Sequence, residues 1–200
     1  MRIDRGSWVI GAAISIVAIA CSSGSGDAPS GGSSGTSGSV PSVDGRGEGG
    51  GGGGGDPSTC NGNEGAPAPT TADALYTWLQ TGAYTCWAHE SVQHPSTGPH
   101  TGDVKTFVNA ALDTSLKNGG EHPVGAVAVK EFFEPSGTAR RGWAVLVKNE
   151  PSSAAGQGFY WYELIGTTPG STRYEGQGST VCTGCHSGGT DFVLVPYPLR

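Results

Sequence analysis

Charge is scarce in this 200-residue chain: only 14% of its residues are Asp, Glu, Lys or Arg, and no Lys/Arg cluster exceeds Arg140-Arg141. With a net charge of −6, it lacks the basic footprint that a phosphate backbone requires, which excludes nucleic acid as a partner. Long apolar runs are missing too. The longest, Trp8 to Ala20, has 13 residues, against roughly 20 for a membrane-spanning helix. Methionine occurs only as Met1, so the folded part has no thioether to offer a metal. Aromatic residues are absent from 22 to 59, a stretch with 15 glycines in 38 positions and almost nothing to bury. It cannot build a core. From Leu75 onward the chain carries 15 of its 16 aromatic residues, which places one folding unit of about 140 residues at the C-terminal end.

The N-terminal run has the length of a secretory signal core, preceded by Arg2 and Arg5. It ends in Ala18-Ile19-Ala20-Cys21, small residues before a cysteine, which resembles the lipobox of bacterial lipoproteins. That likeness implies an exported protein with a diacylated Cys21, anchored on a membrane and facing the periplasm or cell surface; two acyl chains suffice for stable anchoring. Cleavage by the general signal peptidase is the alternative. The expected layout is a signal peptide over 1–20, a disordered Gly/Ser-rich tether over 21–59 and a folded domain over 60–200. A 38-residue Gly/Ser chain has an r.m.s. reach of roughly 30 to 40 Å, enough to hold the domain clear of a bilayer.

Of the other four cysteines, Cys60 and Cys86 remain as a pair once the CxxC at Cys182 and Cys185 is set apart. In an oxidising compartment this favours a disulfide, the alternative being two free thiols. The strongest signal is Cys182-Thr-Gly-Cys-His186. In CxxCH, two thiols can add across the vinyl groups of one haem c while the adjacent imidazole ligates the iron. Cys182 and Cys185 are thus the expected attachment points and His186 the metal ligand. Zinc would call for a second CxxC or a HxxxH pair, and neither is present. A thioredoxin-like motif would sit early in its domain rather than 15 residues from the C-terminus. A non-haem CxxC redox or metal protein is the remaining alternative. Without a second methionine a His/Met electron carrier is excluded, leaving a histidine (His89, His94, His100 or His122), a lysine or an open position on the far side of the iron.

Periodicity predicts a helix over 72–81 with Thr71 as N-cap and Gly82 as stop, a strand over 103–108 and a helix over 110–118. Strands are expected over 124–133, 142–148 and 159–165, forming an antiparallel meander, and a last β-like run over 191–195. The fold class is α+β, mainly antiparallel sheet with two or three flanking helices, which fits neither a four-helix cytochrome bundle nor a small all-helical cytochrome c.

Three ordered pieces, Gly102-Asp-Val-Lys-Thr-Phe-Val-Asn109, Gly125-Ala-Val-Ala-Val-Lys-Glu131 and Gly142-Trp-Ala-Val-Leu-Val-Lys148, precede the CxxCH and the ending Thr190-Asp-Phe-Val-Leu-Val-Pro-Tyr-Pro198. Together they resemble the cytochrome P460 family, which includes the β-type cytochromes c′. The resemblance implies a five-coordinate haem on a largely β fold, with Lys130 bonded to the porphyrin edge. On residue pattern alone Lys130 shares a strand face with Ala126 and Ala128, although an outward position at a strand end is equally compatible; Lys117 is the less favoured substitute. The distal glutamate of the hydroxylamine-oxidising members has no counterpart in Trp143-Ala-Val145, where an apolar wall is expected, and Glu134, Glu150 and Glu163 remain as carboxylates that could reach the pocket. The expected functions are electron transfer or binding of a small ligand such as nitric oxide. The alternative is an oxidoreductase acting on hydroxylamine or a related nitrogen substrate and passing electrons to a periplasmic redox partner.

Overall fold

The computed structural model describes residues 67–200. The signal segment, Cys21, the tether and Cys60 lie outside them. In chain order the elements are α1 (Ala72–Gln80), a 3-10 turn (Ala83–Cys86), β1 (Ala88–His89), β2 (His94–Pro95), β3 (Asp103–Val108), α2 (Ala110–Asn118), β4 (Val127–Phe133), β5 (Arg140–Lys148), a second 3-10 turn (Ala154–Gly156), β6 (Phe159–Ile165), β7 (Thr172–Gln177) and α3 (Thr180–His186). This is an α+β fold. The strands form one open antiparallel sheet of order β1-β3-β4-β5-β6-β7, with β2 also pairing β3.

Local chemistry explains the elements. In α1, Leu75, Trp78 and Leu79 recur at helical spacing and are buried, while Thr71 stands at the N-cap without a side-chain cap bond. Complete burial of Leu75 and Leu79 stabilises by about 1.5 to 3 kcal/mol each. Asn109 caps α2: its Oδ1 accepts from the backbone N–H of Leu112 at 3.0 Å and of Val127 at 3.1 Å, and its Nδ2 donates to the Gly125 carbonyl at 2.7 Å. One side chain therefore starts a helix and ties it to the neighbouring strand.

Alternation along the strands sorts side chains onto two faces. One face, with Val127, Val129, Trp143, Val145, Val147, Tyr160, Tyr162 and Leu164, packs beneath α1. The other, with Val108, Ala126, Ala128, Leu146, Phe159 and Trp161, is covered by Leu112 and Leu116 of α2, Cys182 of α3 and the C-terminal residues Phe192, Val193, Val195 and Leu199.

Two expectations need correction. The run 191–195 is not a strand: Asp191 and Phe192 take left-handed backbone angles (φ +46° and +65°) and the segment makes only an isolated bridge between Thr190 and Val193. β-Propensity lost there to side-chain and backbone bonds that hold a turn. The wall expected from Trp143-Ala-Val145 is also divided, because Trp143 and Val145 belong to the α1 face. Only Ala144 faces the other way.

Candidate functional site

The register of the sheet assembles the site. Thr106 of β3 pairs with Lys130 of β4, Lys130 with Ala144 of β5, Ala144 with Glu163 of β6, and Glu163 with Tyr174 of β7. These five residues form one row on the face that α3 covers. Lys130 is therefore neither at a strand end nor outward. It lies mid-strand, largely enclosed, and burial lowers its pKa while the charges of Glu90 and Glu163 oppose the shift. Lys117 is elsewhere, paired with Asp113 on exposed α2.

The motif 182–186 forms the C-terminal part of α3, a helix of 7 residues. Its position is limited by a close approach, since Gly156 (φ +88°) lies against the Thr183 side chain and a Cβ there would collide with it. The His186 ring packs edge-on against Trp161, with centroids 4.7 Å apart. Its Nδ1–H donates to the Phe192 carbonyl at 2.9 Å, which leaves the Nε2 lone pair as a donor. A backbone partner on one ring nitrogen is how proteins orient a ligating imidazole. Burial, assisted by the charges of Lys130 and His100, pushes the His186 pKa down to about 4, so the ring is neutral at physiological pH.

Cys182 is a free, half-buried thiol whose pKa burial raises. Cys86 and Cys185 are each held in a disulfide. The partner expected for Cys86, Cys60, lies outside the described residues. A sulfur held in a disulfide cannot add to a vinyl group, so attachment through Cys185 requires its reduced form.

Of the histidines considered for the far side of the iron, the fold brings one to the site. His100 lies 6.5 Å from His186 between ring centroids, stacks on Phe132 at 5.2 Å and 23°, and donates from Nδ1 to Glu163 Oε1 at 3.0 Å. His89 donates to the Trp87 carbonyl, His94 is bonded to buried Glu90, and His122 is buried between Ser115 and the Thr190 carbonyl. Residue pattern alone left Glu163 among three carboxylates. The structure puts it in the Lys130 row, while Glu134 is exposed and paired with Arg141.

Among the described residues, no group of three or more His, Cys, Asp and Glu is placed to hold a metal ion, and no helix is long and apolar enough to cross a membrane. Compared with known proteins, the chain matches no family profile and no curated sequence.

The arrangement joins one neutral imidazole with a free donor nitrogen, the thiol of Cys182 and the disulfide-held sulfur of Cys185 on the same helix, a largely enclosed amine and a carboxylate–imidazole pair. Small residues, Ala126, Ala128, Ala144 and Gly176, lie on the same sheet face. A group with one coordination site and two attachment points is matched by that donor set.

Proposed function

We propose that this chain is an exported c-type cytochrome with a cytochrome P460-like fold, binding one haem covalently through Cys182 and Cys185, with His186 as axial ligand. The observation that carries the reading is the bond from His186 Nδ1 to the Phe192 carbonyl, which presents Nε2 beside the two cysteines of the same short helix. Bound there, haem supplies electron exchange or a site for a small ligand. The protein's own residues orient the imidazole, keep it neutral and line the sheet face with small side chains. Lys130 would be placed for a bond to the porphyrin edge, which would replace a carbon–hydrogen and a nitrogen–hydrogen bond and pass two electrons to an external oxidant such as a peroxide: burial lowers its pKa, which favours the neutral amine.

Electron transfer or nitric oxide binding follows from this donor set. The oxidoreductase reading gains from Glu163, the carboxylate missing from β5 but supplied by β6 in the same row. Ionised, it can accept a proton from an N–H or O–H of a hydroxylamine-like substrate, and His100 holds its Oε1 in place. Lipid anchoring through Cys21 and a soluble periplasmic electron acceptor complete the proposal.

The absorption spectrum of the purified, exported protein tests it. A haem Soret band that survives acid-acetone extraction supports covalent attachment, a red-shifted ferrous band supports the Lys130 bond, and absence of haem overturns the reading. Hydroxylamine turnover with an artificial acceptor tests the enzymatic form. Glu163→Gln should lower that rate by about 10² to 10⁴, the usual contribution of a positioned base, and an unchanged rate removes Glu163 from this role.

A further inference from the structure

The Phe192 carbonyl that orients His186 belongs to a turn with an unfavourable backbone. Asp191 and Phe192 are successive non-glycine residues at positive φ, and such conformations persist only where the surroundings impose them. The surroundings here converge on Asp191. Its Oδ2 accepts from Lys148 Nζ at 2.8 Å and from the backbone N–H of His122 at 2.7 Å. Lys148 is fully buried. Its ammonium also donates to Ser153 Oγ at 2.5 Å and Glu121 Oε1 at 3.1 Å, and lies over the Phe159 ring at 5.2 Å. From the other side His122 Nε2–H donates to the Thr190 carbonyl at 3.1 Å, while its Nδ1 accepts from Ser115 at 2.7 Å. Three contacts of this cluster, from Lys148 Nζ and the His122 backbone N–H to Asp191 and from His122 Nε2–H to Thr190, hold residues 190–191, the start of the turn that ends on the carbonyl bonded to His186, and the remaining bonds fix Lys148 and His122 in place.

We propose that Lys148 and Asp191 are positioning residues for His186, holding the 190–193 turn so that the Phe192 carbonyl fixes the imidazole with its proton on Nδ1 and its lone pair on Nε2. Neither touches the ring. They act through the backbone, and a buried lysine at the end of β5 gains a role that burial alone would not explain, because an unpaired ammonium is costly to bury and a paired one seldom adds stability over an apolar side chain. The functional weight of the proposal rests on His186 as an axial ligand; the positioning itself does not.

The test uses the full exported chain labelled with ¹⁵N-histidine, in its haem-free form at neutral pH, with the His186 signals assigned by their loss in His186→Gln. Long-range ¹H–¹⁵N correlations report which ring nitrogen carries the proton. Wild type should show one fixed Nδ1–H tautomer. In Lys148→Met and Asp191→Ala the ratio of Nδ1–H to Nε2–H should fall about tenfold, the scale of one lost net hydrogen bond. Asp191→Asn should restore it, because an amide oxygen still accepts from Lys148 and His122 and asparagine tolerates left-handed angles. Should Asp191→Ala fail to fold, Asp191→Gly removes the carboxylate without backbone strain and carries the same expectation. An unchanged tautomer ratio in folded Lys148→Met and in the Asp191 variants overturns the proposal, as does Asp191→Asn behaving like Asp191→Ala. In haem-loaded protein the iron–imidazole stretching band should move to lower frequency in the two disrupting variants and stay in place in Asp191→Asn. Failure of haem to bind removes only that last readout and leaves the tautomer result standing.

Discussion

The two faces of the sheet are built from the same strands but to different rules. Beneath α1 the side chains are mostly large and apolar, and the charged group buried among them, Glu131, is partnered: it accepts from the Tyr84 hydroxyl at 2.5 Å and pairs with Arg140 at 2.8 Å, while Trp143 Nε1 donates to the Tyr84 oxygen at 2.9 Å. Under α3 the row Thr106, Lys130, Ala144, Glu163 is small, polar and titratable. Lys130 and Glu131 are chain neighbours on opposite faces. One is a buried charge with its partners present, the other a half-buried lysine whose amine is enclosed enough that desolvation lowers its pKa. Apolar packing is concentrated on the first face and the titratable row on the second, the division expected if the second face holds a site that retains unfavourable groups for use.

That contrast can be broken at several points. The largest effect on folding should come from Glu131→Met, which leaves Arg140 and the Tyr84 hydroxyl without their acceptor. Breaking a buried pair costs about 3 to 5 kcal/mol, reduced here to about 2 to 3 kcal/mol because the Arg140 side chain is 37% exposed and can turn to water. Chemical denaturation would measure it, and the spectrum of the opposite face should not change. Tyr84→Phe should cost about 1 to 3 kcal/mol in the same assay, the range for removing one partner of a buried hydrogen-bonded group. Lys130→Met should act in the opposite direction and raise the melting temperature at neutral pH. The sign follows from linkage: a lysine whose folded pKa is lowered binds fewer protons folded than unfolded, so it destabilises below its ordinary pKa near 10.5, and the penalty fades as pH rises toward that value. The gain from Lys130→Met should therefore shrink in melting curves between neutral pH and pH 10.

The smallest effect is expected at acid pH. Burial lowers the pKa of His122, so stability should decline as pH falls through about 6.5, where the unfolded imidazole takes up a proton that the folded one refuses. For Asp191, burial opposes ionisation but the bonds from Lys148, Ser153 and His122 outweigh it and hold the pKa below the usual carboxylate value. Its contribution is complete above pH 4 and is lost on further acidification. His122→Asn should remove the first step in a pH series of melting temperatures and leave the second.

Much of the scaffold could be read from residue pattern. α1, β3 and α2 lie where periodicity puts them, because apolar residues recur in each at one period, and β6 lies where its aromatic run between turn residues puts it. β7 escaped notice for the opposite reason: Thr172–Gln177 is polar and mostly exposed at the sheet edge, so pairing with β6 rather than burial makes it a strand. β1 and β2, two residues each, lie in a stretch that reads as loop. The grouping of Cys182, Cys185 and His186 is legible because it depends on spacing along the chain. The placing of Glu163 and His100 beside them is not, because it depends on register between strands and on the path of the 96–102 loop. The left-handed turn at Asp191 and Phe192 was hidden under a β-like composition, and the buried Lys148 that holds it read as an ordinary strand-end lysine.

The order of the elements has a consequence for how such a molecule is made. Each strand from β3 to β7 pairs with the next one along the chain, so a polypeptide emerging N-terminus first can zip the sheet strand by strand, with α2 in the longer link from β3 to β4 and shorter loops to close from β4 onward. Cys182, Cys185 and His186 come after the last strand. A group joined to those cysteines would meet a floor already laid, with one short helix and the tail that folds back over it still to settle.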